Sequence, residues 1–157
     1  MKTFQDYLVE ATGLYFTKND IPKKYRGVSV KIKHHSEIDD GYKDFFGLWE
    51  IINGGKSFEI YVDKDMVEEL EKKQIQRRLI LPTMRNLLDH EFREATLGIK
   101  NAKKAGFDLS KVQKNKHGRY ESALQNIFGS AHDETIKDNP QDDIHERKLL
   151  NFLGRRY

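Results

Sequence analysis

His90, Glu91 and Glu94 stand together in the stretch LLDHEFREATLG, Leu87 to Gly98. His90 and Glu94 are four residues apart, so on an α-helix they share a face one turn apart, and an imidazole nitrogen and a carboxylate oxygen so placed can hold one metal ion. Zinc accepts both donor types. Glu91 points about 100° further round the helix. Met84, Leu87, Leu88, Ala95, Ile99 and Ala102 define the apolar arc of the segment, with Glu91 inside it and His90 and Glu94 at its edge. A carboxylate facing a core or cleft is costly unless it is paired, protonated or near a metal. The same residues also read as a charged surface helix, in which Arg85 or a backbone donor satisfies Glu91.

Such a helix has to be bounded and backed. Pro82 suits a first turn and Gly106 a stop, which predicts a helix from about Thr83 to Ala105. Upstream, FGLWEII and SFEIYVD are β-rich runs joined by Asn53, Gly54, Gly55 and Lys56, a hairpin signal. VSVKIKHH alternates Val28, Val30 and Ile32 with polar residues, the period of a half-buried strand. TKNDIPKKYRG and DDGYKDF carry loop chemistry. The charged run KDMVEELEKKQIQRR has Met66, Val67 and Leu70 as its few apolar positions and reads as helix.

Toward the end, NKHGRY reads as a turn and YESALQNIFGSAHDETIKD as one or two helices interrupted near Gly129. In IHERKLLNFL, Ile144, Leu149, Leu150 and Leu153 form a face able to dock on the body. Strands come first and helices after, so the expected fold is α+β: a small, mostly antiparallel sheet with a hairpin, followed by packed helices.

The chain has 157 residues, enough for one domain with its own core. Twenty-eight Lys and Arg are interleaved with 25 Asp and Glu, giving a net charge of +3 and no basic stripe, so no specific nucleic-acid partner is expected. Cysteine is absent, which excludes disulfides, thiol catalysis and cysteine-ligated zinc. Any metal must be held by histidines and carboxylates. No apolar run reaches the roughly 18 to 20 residues of a membrane span, and the start lacks the apolar core of a secretory signal, so no membrane partner is expected. Among the remaining histidines, His34 and His35 are expected to be exposed at a strand end. His117, in a turn, competes as a third ligand, and His145 beside Glu146 is expected to be solvated.

The order of these motifs resembles that of zincin-type metallopeptidases, which place a strand just before the active helix with its edge facing the substrate cleft. SFEIYVDKDM occupies that place. The chain is similar in more detail to small zincin-like hydrolases found in phage and bacterial proteins: EIYVD at Glu59 to Asp63, LLDHEFREA at Leu87 to Ala95, Gly106, and SAHDET at Ser130 to Thr135 match their pattern. The resemblance covers about half the chain, roughly Ser57 to Asp138, and LSKVQKNKHGR departs from it as an apparent insertion. It implies an α+β zincin-like domain over residues 11–157, zinc held by His90, Glu94 and His132, and Glu91 as general base. The usual His-Glu-x-x-His helix has a second histidine where Glu94 stands, and anionic ligation there makes a coordinated water less acidic.

The opening stretch MKTFQDYLVEA places Phe4, Tyr7 and Leu8 at helical spacing. It resembles the capsid-targeting peptide of internal head proteins of T-even-type tailed phages, cut by the prohead protease after the glutamate of an apolar-x-Glu-Ala sequence. That resemblance implies a propeptide of residues 1–10 cleaved between Glu10 and Ala11. It further implies contacts with the prohead protease and scaffold, a place inside the virion head, and a protein target in the host cytoplasm after delivery. Two functions fit these readings. One is a packaged metal-dependent peptide hydrolase, and the other a non-catalytic internal head protein that binds and inhibits a host defence enzyme.

Overall fold

The computed structural model of the chain describes residues 13–37, 46–114, 119–139 and 141–155. The expected N-terminal helix, the cleavage residues Glu10 and Ala11, the DDGYKDF stretch expected to be loop, and His117 lie outside them. Four strands, β1 (Lys24–Tyr25), β2 (Val28–Lys33), β3 (Gly47–Ile52) and β4 (Ser57–Asp63), are followed by helices α1 (Lys64–Lys72), α2 (Arg77–Lys104), α3 (Ser122–Asp138) and α4 (Gln141–Phe152). The architecture is α+β, as expected. No helix among the described residues is long and apolar enough to cross a membrane.

The sheet order is β1-β2-β4-β3. β3 and β4 form the expected antiparallel hairpin, with Trp49 opposite Ile60 and Gly47 opposite Val62. β1 and β2 are also antiparallel, but β2 and β4 run parallel, so the sheet is mixed. β1 falls in a stretch expected to be loop. Arg26 and Gly27 both take positive φ, 47° and 83°, which makes the two-residue hairpin turn that lets Tyr25 pair with Val28. A second correction concerns β4, expected to present its edge to a cleft. It is central, hydrogen-bonded on both sides, and the outer strand on that side is β3.

β4 buries Phe58, Ile60 and Val62 on the face that meets the helices. Asp63 ends the strand and caps α1, its side chain accepting from the Met66 N–H at 3.2 Å. α1 stops at Lys72, earlier than its charge pattern suggested, because the chain turns at Gln74 with φ 52°. The residues after the turn bond to the N-terminal segment: Phe16 N–H donates to the Ile75 carbonyl and Arg77 N–H to that of Leu14, both at 2.8 Å.

α2 starts at Arg77, well before the predicted Thr83, and Pro82 lies inside it. The proline removes the bond to the Arg78 carbonyl one turn back, on an exposed part of the helix. Against that loss, Ile80 is fully buried and extends the stripe through Met84, Leu87 and Leu88. The helix ends at Lys104, just ahead of Gly106. Its apolar face packs on the hairpin, with Leu88 and Ala95 buried and Ile99 partly so. Leu88→Ala should destabilise the fold by about 2–5 kcal/mol in denaturant unfolding, and a change near zero would remove this face from the core.

α3 runs unbroken through Gly129, whose absent side chain meets nothing within 4 Å. Leu124, Phe128, Ala131 and Thr135 are its buried residues, at the spacing of a helix face. α3 and α4 both pack on α2, and Leu149 of α4 and Leu153 just past its end are buried. α2 is therefore covered by sheet on one side and by helices on another, and His90, Glu91 and Glu94 are among its polar residues buried or nearly buried in that seam.

Candidate metal centre

The seam brings together His90, Glu94 and His132, each offering one ligand atom, and the three atoms lie within 4.8 Å of one another. Glu94 Oε2 is the hub, 2.9 Å from His90 Nε2 and 2.7 Å from His132 Nδ1. The first pair follows from the i,i+4 spacing on α2. The second requires tertiary structure: α3 crosses α2 so that His132, one turn beyond the buried Phe128, comes over Glu94. The other Glu94 oxygen, Oε1, accepts from the Trp49 indole N–H at 3.2 Å.

Burial is graded across the group. The His90 side chain is 4% exposed, that of Glu94 13% and that of His132 46%, so the cluster opens to solvent on its α3 side. His90 had been expected at the edge of the apolar arc. It is buried because α3 and α4 cover that flank of α2, bringing the His132 and His145 rings to 5.1 and 5.3 Å from its own. Glu91 is buried, as the helical wheel indicated. Gly47 of β3 makes room for it: a Cβ there would stand 3.1 Å from Glu91 Cγ and Oε1 and 2.8 Å from Leu87 Cδ1.

The electrostatics follow from this packing. Burial alone would raise the Glu94 carboxyl, but hydrogen bonds and charge from His132 and His90 outweigh it and hold the group well below the usual carboxylate range. The His132 imidazole is raised, first by its hydrogen bond to Glu94 and against the opposing effect of burial; the Glu91 charge also lifts it. Glu91 thus lies within electrostatic reach of the cluster without being one of its three donors.

Two imidazoles and one carboxylate make a donor set that suits zinc. Zinc–ligand distances of about 2.0–2.2 Å place tetrahedral neighbours roughly 3.4 Å apart, so Glu94 Oε2 would have to open by only about 0.5–0.7 Å from the two imidazole nitrogens to admit an ion between them. The present spacings of 2.7 and 2.9 Å are those of charge-assisted hydrogen bonds. The residues fit the ion.

Sequence reasoning missed two residues here. His145 was expected to be solvated but is buried against His90, and its i,i+4 spacing from Leu149 on one face of α4 was the available signal. Trp49 left no local signal beyond its place in a strand. His34, by contrast, sits apart at the end of β2, with Nε2 3.1 Å from Asp65 and Nδ1 2.6 Å from Ser36 Oγ.

No protein-family model matches the chain, and neither does any curated protein or solved structure.

Proposed function

We propose that the chain is a zincin-like, zinc-dependent hydrolase of peptide bonds, encoded by a tailed phage, packaged in the head and delivered to the host. The observation that carries its catalytic part is the convergence of His90, Glu94 and His132 beside the buried Glu91. Zinc held by those three side chains would supply Lewis acidity toward a peptide carbonyl and lower the pKa of a coordinated water. Glu91 takes the proton of the attacking water and delivers it to the leaving amine. Glu94 would stay anionic as a ligand, its other oxygen held by the Trp49 indole N–H, and His90 anchors the buried side of the site.

The substrate backbone would lie along β3, not β4, because β3 is the outer strand beside the cluster. Phe46, just before β3, and the residues alternating with it bond toward β4, which turns the backbone groups of Gly47, Trp49 and Ile51 outward. The Ile51 N–H is taken by the Tyr120 hydroxyl at 3.2 Å. A docked peptide would therefore pair with the Gly47–Trp49 end, which is also the end next to Glu91.

Elemental analysis of the purified protein, beside a chelator-treated sample, tests the reading. About one zinc per chain, lost on chelation and restored by added zinc, is expected. A chain that takes up no zinc would instead leave a non-catalytic inhibitor of a host defence enzyme.

Packaging rests on the likeness of Met1 to Ala11 to a capsid-targeting peptide. Co-expression with a prohead protease of matching specificity should remove residues 1–10 and leave Ala11 at the N-terminus, as read by intact mass. Glu10→Gln should block the cut. Virion-derived protein still beginning at Met1 would overturn this part.

A further inference from the structure

The geometry points to Trp49 as a positioning residue that forces Glu94 to present a single oxygen to the metal, an inference that rests on the metal-site reading above. The indole N–H is a donor only, so it can neither ligate a cation nor accept from one of the histidines. It holds Oε1 at 3.2 Å, while Oε2 faces both His90 and His132. A carboxylate left to itself can swing to offer both oxygens. Here one of them is already held by the indole N–H and turned from the histidines, which would keep Glu94 to offering Oε2 alone and leave a fourth position around a bound ion open for water or substrate.

Trp49 is unusually well fixed for this task. It is buried, with its ring edge-on to Phe128 at 4.7 Å and to Phe58 at 6.4 Å. Gly98 of α2 gives the indole its berth: a Cβ there would stand 3.2 and 3.3 Å from Trp49 Cζ2 and Cη2, and 3.0 Å from Phe128 Cδ1. Phe128 lies one turn before His132 on α3. A single side chain on β3 therefore touches the ligand helix α2 through its N–H and braces the ligand helix α3 through its ring. A tryptophan that merely found a buried acceptor would fill the same space, but it would leave the coordination number unchanged when its N–H is removed.

Cobalt(II) substitution separates the two roles, because d–d absorption is intense for a tetrahedral ion and weak for higher coordination. The full chain and Trp49→Phe are loaded with cobalt and titrated against a competing chelator, with circular dichroism as the check on folding. Wild type is expected to show the intense spectrum. Trp49→Phe should retain metal with an affinity lower by about 10- to 100-fold, the usual worth of an outer-shell partner. Its absorption should weaken as the freed Oε1 joins the ion.

Should Trp49→Phe fail to fold, biosynthetic replacement of the single tryptophan by its benzothienyl analogue keeps the bicyclic ring and removes only the donor. The same two changes are expected. A folded variant with wild-type spectrum and affinity would overturn the role of Trp49 and leave the metal site standing. Absence of cobalt and zinc uptake by wild type would overturn both.

Discussion

Glu91→Gln should lower hydrolysis by about 10²- to 10⁴-fold, the usual worth of a general base, while bound zinc stays in place. The two halves of that result come from where the residue sits. Glu91 is not one of the three converging donors, yet its charge acts on His132 and its carboxylate lies against Gly47 at the start of the outer strand. A peptide paired with that strand would bring its carbonyl past Glu91. Glutamine keeps the size of the side chain and its hydrogen-bonding reach but cannot accept the proton. Peptide cleavage followed by mass spectrometry, with metal content measured on the same preparations, checks both halves. If zinc is lost together with activity, Glu91 is a ligand; if activity is unchanged, it is not the base.

Much of the frame around Glu91 could be read from residue patterns because it depends on local rules. The Asn53 to Lys56 turn between two β-rich runs specifies a hairpin wherever it occurs, and β3 and β4 are that hairpin. The apolar stripe of α2 needs only the helical repeat, and it places Leu88 and Ala95 in the core as expected. Alternation along a strand shows which residues share a face but not which strand lies alongside. The pattern of SFEIYVD is equally compatible with an edge and with the centre of a sheet. Its parallel pairing with β2 is a long-range event with no local signature.

The same division runs through the site. The His90–Glu94 pair follows from spacing, and His132 came only from likeness to a family pattern. The approach of α3 depends on Phe128 seating against Gly98, a contact between residues 30 apart in the chain. Pro82 misled because a proline is most comfortable in a first turn, and here the burial of Ile80 outweighs that preference. His145 was misjudged because its neighbour Glu146 is exposed, whereas the face it shares with Leu149 is not.

His90→Ala and His132→Ala should each abolish tight zinc binding, because two protein ligands rarely hold the ion. In wild type, zinc at about 100 times its dissociation constant should add about 2.7 kcal/mol to the stability of the fold, and this increment should vanish in both variants. The pH dependence sharpens the test, because the metal and a proton compete for His132. Its hydrogen bond to Glu94 raises it above the ordinary histidine value near 6.5. Zinc binding should therefore strengthen as pH rises through that raised value, and weaken by up to about tenfold per unit below it for the one competing proton. The metal-free protein should behave in the opposite sense. A raised folded-state pKa contributes stability that is complete below about 6.5 and is lost as pH rises through the folded value. With His132 half exposed, that contribution is small. Thermal unfolding with and without zinc across this range should show two curves diverging as pH rises, and His132→Ala should bring them together. If wild type gives coincident curves at every pH, His90, Glu94 and His132 are a hydrogen-bonded cluster that holds α3 to α2 and nothing more.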